Sequence, residues 1–365
     1  MQRPPDLSRA DLGERVRAAW SLNASQRMMW RELQRMEKTT VTLQDIREAA
    51  ERIRAYIRHT PLLRETSMDK VLGCQAYLKP EMLQVTGAFK LRGVLSKILS
   101  LTPDERKKGI ITSSSGNHGQ SCAFAGQMLG LHTTVVIPED APAIKIENAK
   151  AMGAEVIVWR RKYVERMKKV REEIAEHGYI LVHPYEDYTV MAGQGTIGLE
   201  IMEDLPDVDT VLVPIGGGGL ISGISTAIKQ SKPNVRVIGV QAAACGAYYV
   251  SRQNGYPSEV TPRPTVADGL TAIRVSEITY PIIEKYVDDI VAAEEEDIQE
   301  AVRLVARDAK LVAEPSACVG IAALLSGKVK TRPDEKVCAV LTAGNWDIHM
   351  IGKILKGEQV EGILV

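Results

Sequence analysis

The chain has few of the residues that build metal sites and covalent staples. Its five cysteines (Cys74, Cys122, Cys245, Cys318 and Cys338) form no C-x-x-C spacing, and its six histidines include no H-x-x-x-H pair. There is thus no zinc signature. An odd, scattered set of cysteines reads as reduced thiols in a cytosolic protein. Neither sign of charge is in excess: 46 Lys and Arg balance 46 Asp and Glu. A general nucleic-acid binder needs a basic footprint, so that class is excluded. The uncharged stretch 210–228 contains Pro214 and four consecutive glycines, which break any membrane-spanning helix. Up to Lys38 there are eight basic and five acidic side chains and no apolar run. Neither a secretory leader nor a transit peptide is expected, and the expected place is the cytoplasm.

What is present is enough chain for two domains. There are 365 residues, 45% of them apolar, against roughly 150 residues per domain. Residues 1–38 stand apart as an Arg-rich N-terminal extension holding Trp20 and Trp30. They read either as an amphipathic helix over 15–36 or as an extension with little order. From Thr42 a helix is predicted, with Asp45 at the capping-box position and Ile46, Ala49, Ala50 and Ile53 at helical spacing. Val/Ile-rich strands then alternate with helices. Strands are predicted at 110–112, 133–137, 156–159, 179–183, 210–213, 235–240 and 337–341. Helices are predicted at 119–129, 144–152, 162–177, 195–204 and 220–229. The acidic run Glu294–Asp297 reads as the N-terminus of another helix, where acids suit the dipole. Repeated βα units imply an α/β protein with parallel sheets covered on both faces. The expected division is a large domain from 39–108 and 187–365, with a small domain at 109–186 between them.

Four stretches could carry chemistry. Gly216, Gly217, Gly218 and Gly219, followed by Leu220, join a strand to a helix. Glycines let amides turn inward on a phosphate at a helix N-terminus. The bland alternative, a flexible turn, needs only one or two of them. The stretch lacks the Lys-Ser/Thr of a P-loop and the spacing of a dinucleotide fingerprint. Ser113–Gln120 again lies between strand and helix, and its hydroxyls and amides suit a carboxylate or an ordinary N-cap. Thr86–Gly93 sets Lys90 between Phe89 and a glycine. Buried, such a lysine can form a Schiff base; on the surface it does nothing. Leu341–Asn345 ends a buried strand on Thr342, whose hydroxyl can bond a ligand or merely close a turn.

Together and in this order, the four resemble the fold-type-II pyridoxal-phosphate enzymes, in the branch of serine/threonine dehydratases and serine racemases. Thr60-Pro61-Leu62, Gly193–Gly198, Thr265–Gly269 and Ala313–Ser316 add to the resemblance, which runs from about Val41 to Leu355. It implies a tryptophan-synthase-β-like fold and pyridoxal 5'-phosphate as cofactor. It also implies the roles. Lys90 links covalently to the cofactor and acts as the catalytic base, and Phe89 packs beside the ring. Asn117 bonds the phenolic oxygen. Gly216 to Gly219 and the Leu220 amide cradle the phosphate, and Thr342 meets the pyridine nitrogen. Ser114, Ser115, Asn117 and His118 bind the substrate carboxylate, with Ser115 a possible second acid.

The expected function is β-elimination on a hydroxy amino acid such as L-threonine or L-serine, giving a 2-oxo acid and ammonia. The alternatives are a serine-type racemase and a non-catalytic ligand sensor on the same fold. A homodimer or homotetramer is expected, with a small amino acid as substrate and neither nucleic acid nor membrane as partner. Some of the resembling enzymes bind a divalent cation. Here the matching positions are Gln241 and Ala247, so no metal site is expected. Nor is a C-terminal regulatory domain, because the chain ends at Val365.

Overall fold

The computed structural model describes residues 40–362; the helix expected over 15–36 lies outside them. Among the described residues, ten strands form two sheets. β1 (Leu63–Arg64) and β2 (Gln75–Pro80) begin the larger. β3 (Ile110–Ser113), β4 (Thr133–Pro138), β5 (Glu155–Trp159) and β6 (Ile180–Leu181) make up the smaller. β7 (Thr210–Pro214), β8 (Arg236–Ala242), β9 (Asp289–Ala293) and β10 (Lys336–Leu341) complete the larger. The orders are β1-β2-β10-β7-β8-β9 and β5-β4-β3-β6. Only the β1–β2 pairing is antiparallel.

Parallel neighbours need crossovers, and helices supply them. Those used below are α1 (Leu43–Ile53), α2 (Lys90–Ser100), α3 (Asn117–Leu129), α4 (Ala143–Ala151), α5 (Tyr163–His177), α6 (Tyr188–Asp204), α7 (Gly219–Ser231), α8 (Glu295–Leu304) and α9 (Pro315–Leu325). The predicted capping box is present: Thr42 and Asp45 cap α1 reciprocally, and Ile46, Ala49 and Ile53 are buried. Glu295, Glu296 and Asp297 occupy the first turn of α8, as its dipole favours. Among the described residues no helix is long and apolar enough to cross a membrane.

Two predicted elements differ. The strand expected at 179–183 is paired only over β6, against Ile110 and Ile111. Beyond Val182 the chain reaches Pro184, which has no N–H for a ladder, and its carbonyls serve side chains instead. The helix expected from Gly195 starts at Tyr188, with Asp187 accepting from the amides of Thr189 and Val190. Three glycines hide it from a propensity reading, yet packing requires them. A Cβ on Gly193 would lie 2.5 Å from Arg92 O, and one on Gly195 2.9 Å from Gly223 O. So α6 runs at backbone contact with α2 and α7.

One more contact network holds α2 in place. Arg92 is fully buried and grips two carboxylates: Glu81, at 2.8 and 2.9 Å, and Glu200 of α6, at 2.6 and 2.9 Å. Lys79, also fully buried, reaches Glu200 at 2.7 Å. Burial opposes the Arg92 charge, but the two carboxylates outweigh it and raise its pKa.

Candidate active site

In open parallel sheets, ligands sit beyond the carboxyl ends of the strands. Here the four stretches lie at or beyond such ends. Thr86–Gly93 lies beyond β2, Ser113–Gln120 begins at the end of β3, and the glycine loop and Thr342 follow β7 and β10.

Lys90 opens α2 behind Phe89. Its residue is only partly buried, but the amine end is enclosed. Nζ donates to Pro184 O at 3.1 Å and stands 5.0 Å from the centre of the Phe89 ring. Burial pushes the amine down to about 8, against the opposing pull of Cys122 and Glu314. The positive end of α2 works in the same direction as burial. A lysine in this state gives up its proton near neutral pH and becomes a nucleophile and base. The motif is tied to the one after β10: Phe89 N donates to Thr342 O and Gly344 N to Gly87 O, each at 3.1 Å. Thr342 itself is buried. Gly87 has φ +69°, and a Cβ there would overlap the Asn345 side chain.

The glycine loop has no room for side chains. A Cβ on Gly216 would stand 3.0 Å from Gly269 O, and one on Gly218 2.5 Å from Thr279 Oγ1. On Gly217 it would overlap the Tyr185 ring, and on Gly219 it would stand 2.9 Å from Tyr185 Cα. Gly218 has φ +90°. Its carbonyl accepts the first intrahelical bond of α7, from Ser222 N at 3.0 Å. The earlier first-turn amides, those of Gly219, Leu220 and Ile221, have no acceptor within the helix and can hold an anion. The Gly217 carbonyl is turned away, accepting from the Tyr248 and Thr279 hydroxyls at 3.0 Å each.

Pro184 and Tyr185 therefore join the two features: one carbonyl accepts from Lys90, and the next ring covers the glycine loop. Tyr185 stacks edge-on with His183 at 4.8 Å. His183 Nδ1 accepts from Glu186 N at 2.7 Å, and its Nε2 meets the Tyr163 hydroxyl at 3.1 Å. Burial raises both tyrosines, Tyr163 to about 12, so both stay protonated. Nothing in the sequence marked this cluster beyond its place at a strand end.

The serine loop is partly accessible at Ser114 and Ser115. Ser114 Oγ accepts from Gly116 N at 3.2 Å. The first intrahelical bond of α3 runs from Gln120 N to Gly116 O, so the Asn117, His118 and Gly119 amides precede it. The His118 ring is committed elsewhere. Its side chain is buried, and Nε2 donates to Val182 O at 2.9 Å. The other nitrogen, Nδ1, is then an acceptor, and it has no partner among the described residues. Burial holds this imidazole neutral, down to about 3. The ring thus has no hydrogen to offer a carboxylate; the backbone amide of His118 does.

Asn117 lies between two other motifs. Its Oδ1 accepts from Asn345 Nδ2 at 2.9 Å, and its Nδ2 donates to Glu314 at 3.1 Å. At the position matching a metal ligand, Gln241 is fully buried and its amide is engaged: Oε1 accepts from Tyr249 N at 2.9 Å and Nε2 donates to Ile215 O at 3.4 Å. Among the described residues no group of three or more His, Cys, Asp or Glu could hold a metal.

The family model for pyridoxal-phosphate dependent enzymes matches residues 53–343. An L-threonine ammonia-lyase of Thermotoga maritima is 42% identical over 315 residues, 86% of this chain and 78% of that one. A catabolic L-threonine dehydratase of Staphylococcus aureus is 38% identical, over 88% of this chain and 96% of its own. The solved serine racemase of Dictyostelium discoideum superposes with a TM-score of 0.80 at 37% identity, covering 84% of this chain and 99% of that one.

Proposed function

The chain belongs to the pyridoxal-phosphate dependent enzymes, and from that premise we propose that it converts L-threonine, and L-serine in the same way, to a 2-oxo acid and ammonia. The observation that carries this reading is the enclosed Lys90 amine beside a glycine cradle, on a chain similar to L-threonine ammonia-lyases along most of its length. Pyridoxal phosphate fits these residues. Its aldehyde needs an amine that deprotonates near neutral pH, and its phosphate needs unpaired amides with no side chains in the way.

When bound, the cofactor supplies an electron-accepting ring for the electrons left at the substrate Cα. The protein does the rest. Ser114, Ser115 and the first amides of α3 hold the substrate carboxylate. Asn117 donates to the phenolic oxygen, and Thr342 meets the ring nitrogen as a neutral partner. Lys90 Nζ takes the Cα proton. The β-hydroxyl leaves as water with one proton, which balances the proton that Lys90 removes from Cα. A water is consumed when the product is hydrolysed, so threonine yields 2-oxobutanoate and ammonia with no net water. The first-turn amides of α7 bind the phosphate.

A non-catalytic sensor has no use for an imine-forming lysine. The five buried, unpaired thiols support a cytoplasmic location. A sheet built wholly from residues 110–181 supports 109–186 as the small domain. For the assembly we propose a homodimer or homotetramer.

Borohydride treatment of the purified protein should fix the cofactor to Lys90, read by peptide mass spectrometry. Lys90→Ala should lose 2-oxobutanoate formation by about 10³-fold or more, because base and attachment vanish together. Labelling at another lysine would overturn the assignment.

A further inference from the structure

Glu314 has no role in the reaction as described, yet it is placed as few carboxyl groups are. It is 5% exposed and occupies the N-cap of α9. A carboxylate there ordinarily accepts from the first amides of its own helix, but the Glu314 side chain makes no such bond. Its oxygens accept from Asn117 Nδ2 instead, at 3.1 and 3.4 Å. Its backbone N–H donates to Ala343 O at 3.0 Å, which fixes it beside Thr342.

The Asn117 amide is held from its other end as well. Asn345 Nδ2 donates both to Thr86 O at 2.8 Å and to Asn117 Oδ1 at 2.9 Å. With Oδ1 filled by a donor and Nδ2 drawn to a carboxylate, the amide cannot turn over. One hydrogen of Nδ2 stays free.

We propose that Glu314 is a positioning residue of the Lys90 site: it locks Asn117 with its spare N–H available to the ligand and, bonded to Ala343 while Phe89 is bonded to Thr342, sets a carboxyl charge near the Lys90 amine of the cofactor-free chain. The proposal rests on the reading that Lys90 carries the cofactor. The charged neighbours agree with it. Burial, chiefly, and Asp268 of the turn 268–270 raise the Glu314 carboxyl to about 7, while Asn117, Lys145 of α4 and Lys90 lower it. Around Lys90, Cys122 and Glu314 favour the ammonium. Lys90 in turn disfavours charge on His118 and His183. A buried acid left half-protonated near neutrality is an expensive way to cap a helix, and such shifts cluster at working sites.

Two substitutions separate the parts. Glu314→Gln keeps an oxygen for Asn117 but removes the charge. Asn345→Ala, at an exposed position, breaks the lock from the far end without emptying the core. The readout is the pH dependence of Lys90 labelling by an amine-reactive ester on the full chain freed of cofactor, mapped by mass spectrometry, with pyridoxal phosphate affinity then measured by absorbance titration. Glu314→Gln should make Lys90 lose its proton more readily, moving the labelling midpoint down by about one pH unit, or about fivefold faster labelling at pH 7. Asn345→Ala should leave that midpoint in place and weaken cofactor binding about tenfold. An unmoved midpoint in Glu314→Gln together with unchanged affinity in Asn345→Ala would overturn the proposal. Borohydride fixation at Lys90 in the same variants keeps the two failures apart: its absence sinks the functional reading, its presence with unmoved readouts sinks only this one.

Discussion

Replacing Arg92 with methionine tests what holds the lysine-bearing helix. The substitution keeps an unbranched side chain but removes every donor. Glu200 would still have Lys79 at 2.7 Å. Glu81 would not be so served: it is fully buried, and its remaining side-chain partner is the Thr60 hydroxyl at 2.6 Å. Removing one partner of a buried pair costs about 3–5 kcal/mol, because a charge is left without compensation. Against a net stability of about 5–15 kcal/mol, that is a large fraction. The loss should depend on pH with a definite sign. Burial disfavours the orphaned carboxylate, so in the variant it takes up a proton as the pH falls, and the penalty shrinks. Urea unfolding should therefore show a wild-type-to-variant gap larger at pH 8 than at pH 5 by about 1–2 kcal/mol. The double variant Arg92→Met, Glu81→Met should recover at least half of the loss. A gap below about 1 kcal/mol at pH 8, or one equal at both pH values, would refute the orphaned-charge reasoning.

The other predictions concern the ligand. Gly217→Ala must push the Tyr185 ring aside. Overpacking of about 1–3 kcal/mol should weaken pyridoxal phosphate binding about 5- to 150-fold by absorbance titration, whereas Gly352→Ala, with open space around it, should bind as wild type. Ser115→Ala should spare most elimination from L-serine, which needs only the Lys90 face of Cα. It should abolish exchange of the D-serine Cα proton with solvent deuterium, followed by NMR. If the wild type exchanges none, Ser115 is a carboxylate ligand alone.

Much of this arrangement is legible in the sequence, for a physical reason. Val/Ile-rich strands between capped helices announce parallel sheets, and in such sheets the loops after the strands carry the chemistry. That is why the glycine loop and the serine loop could be found as loops. What could not be read depends on partners far along the chain. The start of α6 is hidden because Gly193, Gly195 and Gly198 weaken helix propensity, while their value lies in backbone contact with α2 and α7. The His118 ring looks like a ligand for a carboxylate until Val182 O, 64 residues on, takes its only hydrogen. Glu314 is marked in the sequence only as part of the Ala313–Ser316 match, because nothing local says that Asn117 will claim its oxygens. Lys90 reads as an exposed lysine unless Pro184 is known to lie over it.

Pro184 and Tyr185 have one more consequence. Adjacent in the chain and stiffened by a proline ring, they present a carbonyl to Lys90 and an aromatic face to the glycine loop. One peptide unit thus touches both the amine and the anion cradle, in addition to the α2–α6–α7 packing that spaces them. The site is then expected to act as a gauge block, taking a molecule whose reactive carbon and phosphate are the right distance apart. A vitamer without its phosphate, or a phosphate ester with a longer arm, can meet one end of the gauge but not both.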